Sequence, residues 1–387
     1  MTTPPLTVVV LGILGRTPVA GVAWQVLHYL EGFRRLGVDV WYVEDTGEWP
    51  YDAERDTVTD DPSYTVRYIA RMMARCGLDD HWSYRCAAGG AYFGLSDNQV
   101  ATLLRQADVL INLTGSTELR DDHLRVPVRV YLETDPVLPQ IEVACGSSRT
   151  IALLETHTHL FSYGENLGAP DCGVPVRRFT YHPTRQPVVL DWWKANGGGH
   201  SSFTTVANWR QQGKDVEWNG ERYLWSKHAE FLKVLELPSR TNQSFELALA
   251  SNDQEGLQLL ASHGWSVVDA TPLSSDLSSY RDYLCHSLGE FTVAKDQNVR
   301  LRSGWFSDRS ACYLAAGRPV ITQDTGFGNI LPVGRGLFAF KTLDDAVAAC
   351  DEIGADYPMH CAAAREIAYE HFSSERVLGS LIDRIGG

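Results

Sequence analysis

Positive charge is scarce in this 387-residue chain: 34 Lys and Arg stand against 48 Asp and Glu, for a formal net charge of −14. Nucleic acid and anionic membranes are gripped by clustered Lys and Arg, so neither is the expected partner. Apolar runs are short, and none approaches the roughly 18 residues of a membrane span. Cysteines Cys76, Cys86, Cys145, Cys172, Cys285, Cys312, Cys350 and Cys361 stand singly, without a CxxC or Cys/His ligand spacing. That excludes a disulfide framework and a structural zinc, and predicts reduced thiols in the cytoplasm. The opening MTTPPLTVVVLGIL has no basic segment before its apolar run, so it reads as a first strand, not a signal peptide. A metal-binding DxD is also missing; Asp121-Asp122 follows an Arg in a polar loop and reads as a solvated turn, so no metal is expected.

What the chain does have is α/β alternation, twice. Leu6 to Leu14 is a continuous apolar run with Gly12 and Gly15 at its end, followed by helical spacing from Val22 to Leu36 and a second strand from Val38 to Val43. Helical spacing recurs at Val100 to Gln106, and strands at Val109 to Leu113, Val128 to Leu132 and Thr158 to Tyr163. Prolines, Arg177-Arg178, a Trp pair and the run Gly197 to Gly199 then break the pattern. It resumes with a strand at Phe203 to Ala207, a helix predicted over Arg222 to Val234, and strands at Phe245 to Leu249 and Trp265 to Val268. Helices close the chain at Asp344 to Ile353, His360 to His371 and Ser374 to Ile385. The expected architecture is two facing Rossmann-like doubly wound domains: residues 1–180, a linker over 181–200, residues 201–365, and a C-terminal helix within 366–387 that crosses back. Such domains bind ligands outside the carboxyl ends of their strands, in the cleft between them.

Residues 302–328 read RSGWFSDRSACYLAAGRPVITQDTGFG. Ser307 is a natural N-cap for a helix from Asp308 to Ala316, Gly317 its stop, and Val320 to Thr322 a strand. A helix mouth with free N–H groups and the hydroxyls of Ser307 and Ser310 suits a phosphate, and Arg309 adds charge. The string CYLAAGRPVITQDTGFG resembles the donor-site signature of GT-B glycosyltransferases, and Gly289 to Phe327 resembles a group of poorly characterised bacterial proteins of that class. The segment VVLGILGRTPVAGVAWQVLHYLEGFRRLGVDVWYVED, strand, Gly-bearing loop, helix and acid-ended strand, fits the same class.

The resemblance implies a nucleotide-diphosphate sugar as co-substrate, with no bound cofactor, and a small-molecule acceptor, in keeping with secondary metabolism. It also implies donor contacts from Gly304, Trp305, Ser307, Asp308, Arg309, Ser310 and Gly326, joined by Arg210 and Lys295 as phosphate candidates. The pattern departs from the common retaining type, whose two glutamates fall at positions held here by Gly304 and Cys312. Neither can accept hydrogen bonds as a carboxylate does. Either Asp308 and Glu290 take over, or the donor is held differently. A nucleotide-sugar epimerase of the same fold and a non-catalytic nucleotide-sugar-binding protein stay open as alternatives.

An inverting transfer needs a base near the acceptor. The acids ending first-domain strands, Glu44 and Asp45 in YVED and Glu133 and Asp135 in YLETDP, form the pool. Asp135 is favoured because Pro136 fixes an extended bend after the strand. His157 and His159 are weaker candidates, and His28 reads as a packed helix residue. Gly12, Gly15 and Gly21 leave room for backbone to approach the donor or acceptor, but form no GxGxxG dinucleotide fingerprint. Trp49, Trp305 and Phe306 are candidates to stack on a sugar or a base.

Overall fold

The computed structural model describes residues 5–195, 201–211 and 213–386, so the expected linker run Gly197 to Gly199 lies outside the described residues. Two sheets organise the chain. The first has the order His182–Pro183, His159–Ser162, Val128–Glu133, Val109–Leu113, Thr7–Leu11, Asp39–Glu44, Trp82–Arg85, Tyr92–Gly94, parallel except for the last pair. Its central strand, TVVVL, is buried on both faces from Val8 to Leu11, which is why it reads as a continuous apolar run rather than alternating. The second sheet, all parallel, runs Ser266–Asp269, Ser244–Ala250, Ser202–Asn208, Gly289–Thr292, Val320–Gln323, Leu337–Phe340.

Strand order reverses once in each sheet: between Thr7–Leu11 and Val109–Leu113 in the first, and between Ser202–Asn208 and Gly289–Thr292 in the second. Diverging connections leave a crevice outside the carboxyl ends at each reversal. Helix Ala20–Arg35 buries a broad apolar face, and a continuous core passes from it to Tyr280, Leu284 and Tyr313 of the second half. The closing helix Ser374–Gly386 lies on Ala20–Arg35, so close that a Cβ on Gly32 would stand 2.6 Å from Leu378 Cδ1. Beside it the Val188 N–H donates to Phe372 O at 2.7 Å and the Ser374 N–H to Val188 O at 2.9 Å. The two chain crossings are thus strapped together.

The helix expected over Arg222 to Val234 is not formed. An antiparallel hairpin, Val216–Trp218 with Glu221–Tyr223, takes its first part, and only His228–Leu232 is helical. Asn219 and Gly220 have φ of 52° and 78°, the left-handed pair a tight hairpin turn requires. That local signal overrides the helical spacing.

Candidate functional site

The crevice of the second sheet is lined by lysine and tryptophan. Lys295 follows the strand Gly289–Thr292, and its Nζ lies over the Trp225 ring, 3.1 Å from the centroid. Lys214 Nζ approaches the same ring at 4.6 Å, and Lys227 Nζ stands 5.7 Å from the Trp305 centroid. Lys227 and Lys295 are both buried. Burial is the main cause that lowers the Lys227 pKa to about 7, helped by the nearby Arg309 and Lys295 charges. Burial likewise lowers the Lys295 pKa, against the pull of Asp135. Among the described residues, no carboxylate forms an ion pair with Lys227. Two desolvated lysines thus share one carboxylate, an arrangement that leaves Lys227 able to accept a further anion.

Lys227 is held in place by its neighbours. Ser226 Oγ donates to Trp209 O at 3.1 Å and accepts from the Gln211 N–H at 3.2 Å, tying the lysine's segment to the end of strand Ser202–Asn208. One turn on, Glu230 accepts from Gln323 Nε2 at 2.6 Å. Gln297 and Asn298, fully buried just after Lys295, carry side-chain amide atoms with no hydrogen-bond partner.

Across the cleft, Asp135 places a carboxylate oxygen 2.6 Å from Lys295 Nζ. Its loop is pinned on both sides. Glu133 is buried and accepts from Ser162 Oγ at 2.5 Å and from Gln140 Nε2 at 2.8 Å, while Gln140 accepts from the Val137 N–H at 2.7 Å. Burial raises the Glu133 pKa to about 8. Val137, two residues after Asp135, has φ 98°, a conformation that costs a β-branched residue of order 1–3 kcal/mol and is kept only where surroundings impose it. Trp305 closes the gap from the other side, its indole N–H donating to Thr134 O at 3.0 Å.

Several expected site residues are engaged elsewhere. Asp45 is buried against Arg85 and Arg120, so it is a structural ion-pair centre and not a free base. Glu133 is enclosed by Gln140 and Ser162 and positions the Asp135 loop instead of facing the cleft. All three Arg309 side-chain nitrogens are engaged, on Glu290, Val206 O and Thr292 Oγ1, which commits three of the five guanidinium N–H donors inside the second half. Arg210 pairs with Asp253 at 2.5 Å, beside a groove of about 620 Å³ over Asn252 and Asp269. Ser307 makes no side-chain cap bond. The helix mouth is taken by Asp308, whose carboxylate accepts from the Arg309 N–H at 2.8 Å and reaches Gln25 Nε2 of the first half at 3.4 Å. Ser310 is fully buried with its hydroxyl unpartnered.

The glycines serve close packing. Gly304 and Gly326 have φ of 81° and 94°, and a Cβ on either would meet Asn166 at 2.3 Å and 2.9 Å. A Cβ on Gly12 would strike the Tyr42 ring at 2.5 Å, and one on Gly15 would strike Thr65 at 2.3 Å. Glu44 accepts from the Gly15 and Arg16 N–H groups, both at 2.8 Å, so those amides are directed at their own loop. Gly21, near the start of Ala20–Arg35, faces Tyr280 Oη of the second half. Cys312 Sγ points at His28 Nε2, 3.9 Å away in the seam, while a side chain at Gly304 would meet Asn166, so the two expected glutamate positions face protein. Phe306 is core, packed on Phe327 and Phe372, whereas Trp49 is 55% exposed. His157 is buried against Asn112 and Leu153 O, and His159 starts its strand at the amino edge, away from the cleft.

Sequence reasoning missed Lys227, Lys214 and Trp225. Their signal was the stretch GKDVEWNGERYLWSKH, two lysines and two tryptophans just past the strand that borders the crevice. Among the described residues no group of His, Cys, Asp and Glu is arranged to hold a metal, and no helix is long and apolar enough to cross a membrane.

No protein-family model matches the chain, and no curated protein is similar to it in sequence. Solved structures do match over its whole length. AviGT4, a glycosyltransferase involved in avilamycin A biosynthesis, superposes with a TM-score of 0.54 at 13% identity, covering 98% of this chain and 97% of its own. Anabaena Alr3699/HepE in complex with UDP-glucose gives 0.58 at 10% identity, over 98% and 99%. An alpha-glucosyltransferase in complex with UDP and a 13-mer DNA gives 0.57 at 9% identity, over 99% and 100%. The two-sheet architecture is that of the GT-B glycosyltransferases.

Proposed function

We propose that the protein is a glycosyltransferase that draws its sugar from a nucleoside-diphosphate donor, uridine diphosphate being favoured by the UDP bound in its structural neighbours. The observation that carries this reading is the pair of buried lysines, Lys227 and Lys295, at the strand reversal of the second sheet, facing Asp135 of the first. In this reading residues 201–365 hold the donor, residues 1–180 the acceptor, and 181–200 and 366–387 are the crossings. As transfer proceeds, the bond from anomeric carbon to diphosphate oxygen breaks and its electron pair stays on the phosphate. Lys227 and Lys295, with Lys214 at the rim, stabilise that charge, the task a metal performs elsewhere, and we assign neither metal nor cofactor. The acceptor heteroatom bonds to the anomeric carbon and its proton passes to Asp135.

Trp305 roofs the donor sugar beside Lys227. A small-molecule acceptor fits a cleft whose first-sheet side presents carboxylate rather than cationic groups, and AviGT4 supports a place in secondary-metabolite biosynthesis. A second reading, a binding protein without turnover, is favoured by Gly304 and Cys312, both of which face protein.

Thermal-shift measurement with UDP, GDP, dTDP, ADP and CDP, followed by turnover of the matching sugar donor, is the test. A nucleotide at 100 times its dissociation constant contributes about 2.7 kcal/mol. One diphosphate should raise Tm in the wild type and do so no longer in Lys227→Ala and Lys295→Ala. Stabilisation by none of the five, or an undiminished shift in both variants, overturns the donor-site assignment.

A further inference from the structure

Lys295 is buried and already holds an anion, and that anion comes from the opposite half of the molecule. Asp135 Oδ1 sits 2.6 Å from Lys295 Nζ although the two residues are 160 positions apart. The carboxylate is 38% exposed, in contrast to the enclosed lysine at 8%, so it reaches into the crevice from the solvent side. Lys227, within electrostatic reach of both, has no ion-pair partner of its own among the described residues. The loop that carries Asp135 is over-determined: Gln140 clamps Val137 and Glu133, and Val137 is held at φ 98°. A loop held in that way presents its carboxylate by construction and not by chance contact.

We infer that the Asp135 carboxylate stands in for a donor phosphate, and that donor binding displaces it from Lys295 and turns it toward the acceptor. This rests on the donor-site reading above and adds a rule of order to it. Without donor, the Asp135 carboxylate is ion-paired with Lys295 and so directed away from the acceptor. Once a diphosphate takes the lysine, the carboxylate is freed on the cleft side, where the acceptor must approach. Asp135 is then not directed at the acceptor before the donor is in place, and the same side chain that promotes transfer opposes donor binding. Asp135 therefore carries two opposed effects, which a purely structural ion pair would not.

The test is calorimetric titration of inorganic pyrophosphate and of UDP into the wild type, Asp135→Asn and Asp135→Ser, with thermal melts to verify that both variants are folded. Removal of the internal anion should tighten pyrophosphate and UDP at least fivefold in both variants, while donor turnover falls at least tenfold. Pyrophosphate binding that is unchanged, weaker or undetectable in the folded variants overturns the inference. Tightened pyrophosphate binding with no binding of UDP or any other nucleoside diphosphate keeps the displacement and sinks the donor reading. UDP binding in the wild type with no tightening in the variants sinks the displacement alone.

Discussion

Lysine burial decides most of what happens at single residues. Lys227 has its pKa lowered to about 7 first by burial and then by the Arg309 and Lys295 charges, from an ordinary value of 10.5. Between pH 7 and 10.5 the unfolded chain keeps that proton and the folded chain has lost it, so the lysine's contribution to stability rises with pH across this window. Lys227→Met should remove that rise and leave the neutral-pH Tm unchanged or higher, because a desolvated cation has gone, while nucleoside-diphosphate affinity drops at least tenfold. A bound diphosphate restores the charge on Lys227, so binding near pH 8 takes up a proton. Titrations in buffers of different ionisation enthalpy should detect this uptake in the wild type and find it missing in Lys227→Met. Glu44 behaves in the opposite sense. Burial raises its pKa to about 7 despite the hydrogen bonds from Gly15, Tyr42 and Arg16. Its contribution is present below the unfolded value near 4.5 and lost as pH rises through 7, on the order of 3 kcal/mol. Glu44→Gln should flatten the fall in urea midpoint between pH 5 and 7.5.

At the scale of elements, the parts legible in the sequence were those with uninterrupted periodicity. TVVVL, VLINL and the stretch from Asp308 to Gln323 formed as read, because parallel strands buried on both faces and a helix stopped by Gly317 and Pro319 are local signals. Arg222 to Val234 was misread because apolar spacing was weighed without the Asn219-Gly220 turn. That error hid the buried lysine beside the crevice, since a straight helix would not bring Trp225 and Lys227 back over it. The place of Asp135 just past its strand was legible because Pro136 marks a strand end. The partners of Asp45, Arg309 and Gly304 were not, because Arg120, Glu290 and Asn166 reach them only through tertiary packing. The hairpin itself is testable: a Cβ on Gly220 meets nothing within 4 Å, but its φ of 78° penalises any side chain. Gly220→Ala should destabilise by about 1 kcal/mol and weaken UDP severalfold by loosening the arm that carries Trp225 and Lys227, whereas Gly213→Ala tests whether a nearby strained glycine outside the hairpin does the same.

The whole molecule is built so that its two sheets meet at a fixed distance, and this sets the reach between Lys295 and Asp135. Asn166 donates its backbone N–H to Ser303 O at 3.1 Å and its side-chain amide to Arg302 O at 2.9 Å, while Arg302 joins Asp171 to Asp324, both at 2.9 Å. Behind the cleft the helix Ser374–Gly386 presses on Gly32. A side chain there cannot be housed without moving Leu378 Cδ1, 2.6 Å from the would-be Cβ, and Ser374 Cβ at 2.9 Å. Gly32→Val should therefore shift the closing helix, lowering stability by roughly 1–3 kcal/mol through overpacking, and tilt the first half away from the second. If the donor is held by residues 201–365 alone, UDP affinity in this variant stays within about twofold of wild type. Sugar transfer, which needs Asp135 to meet the donor across the cleft, falls at least tenfold. Parallel loss of UDP binding and transfer would mean that the first half grips the donor as well, and would move the domain assignment toward a site shared by both sheets.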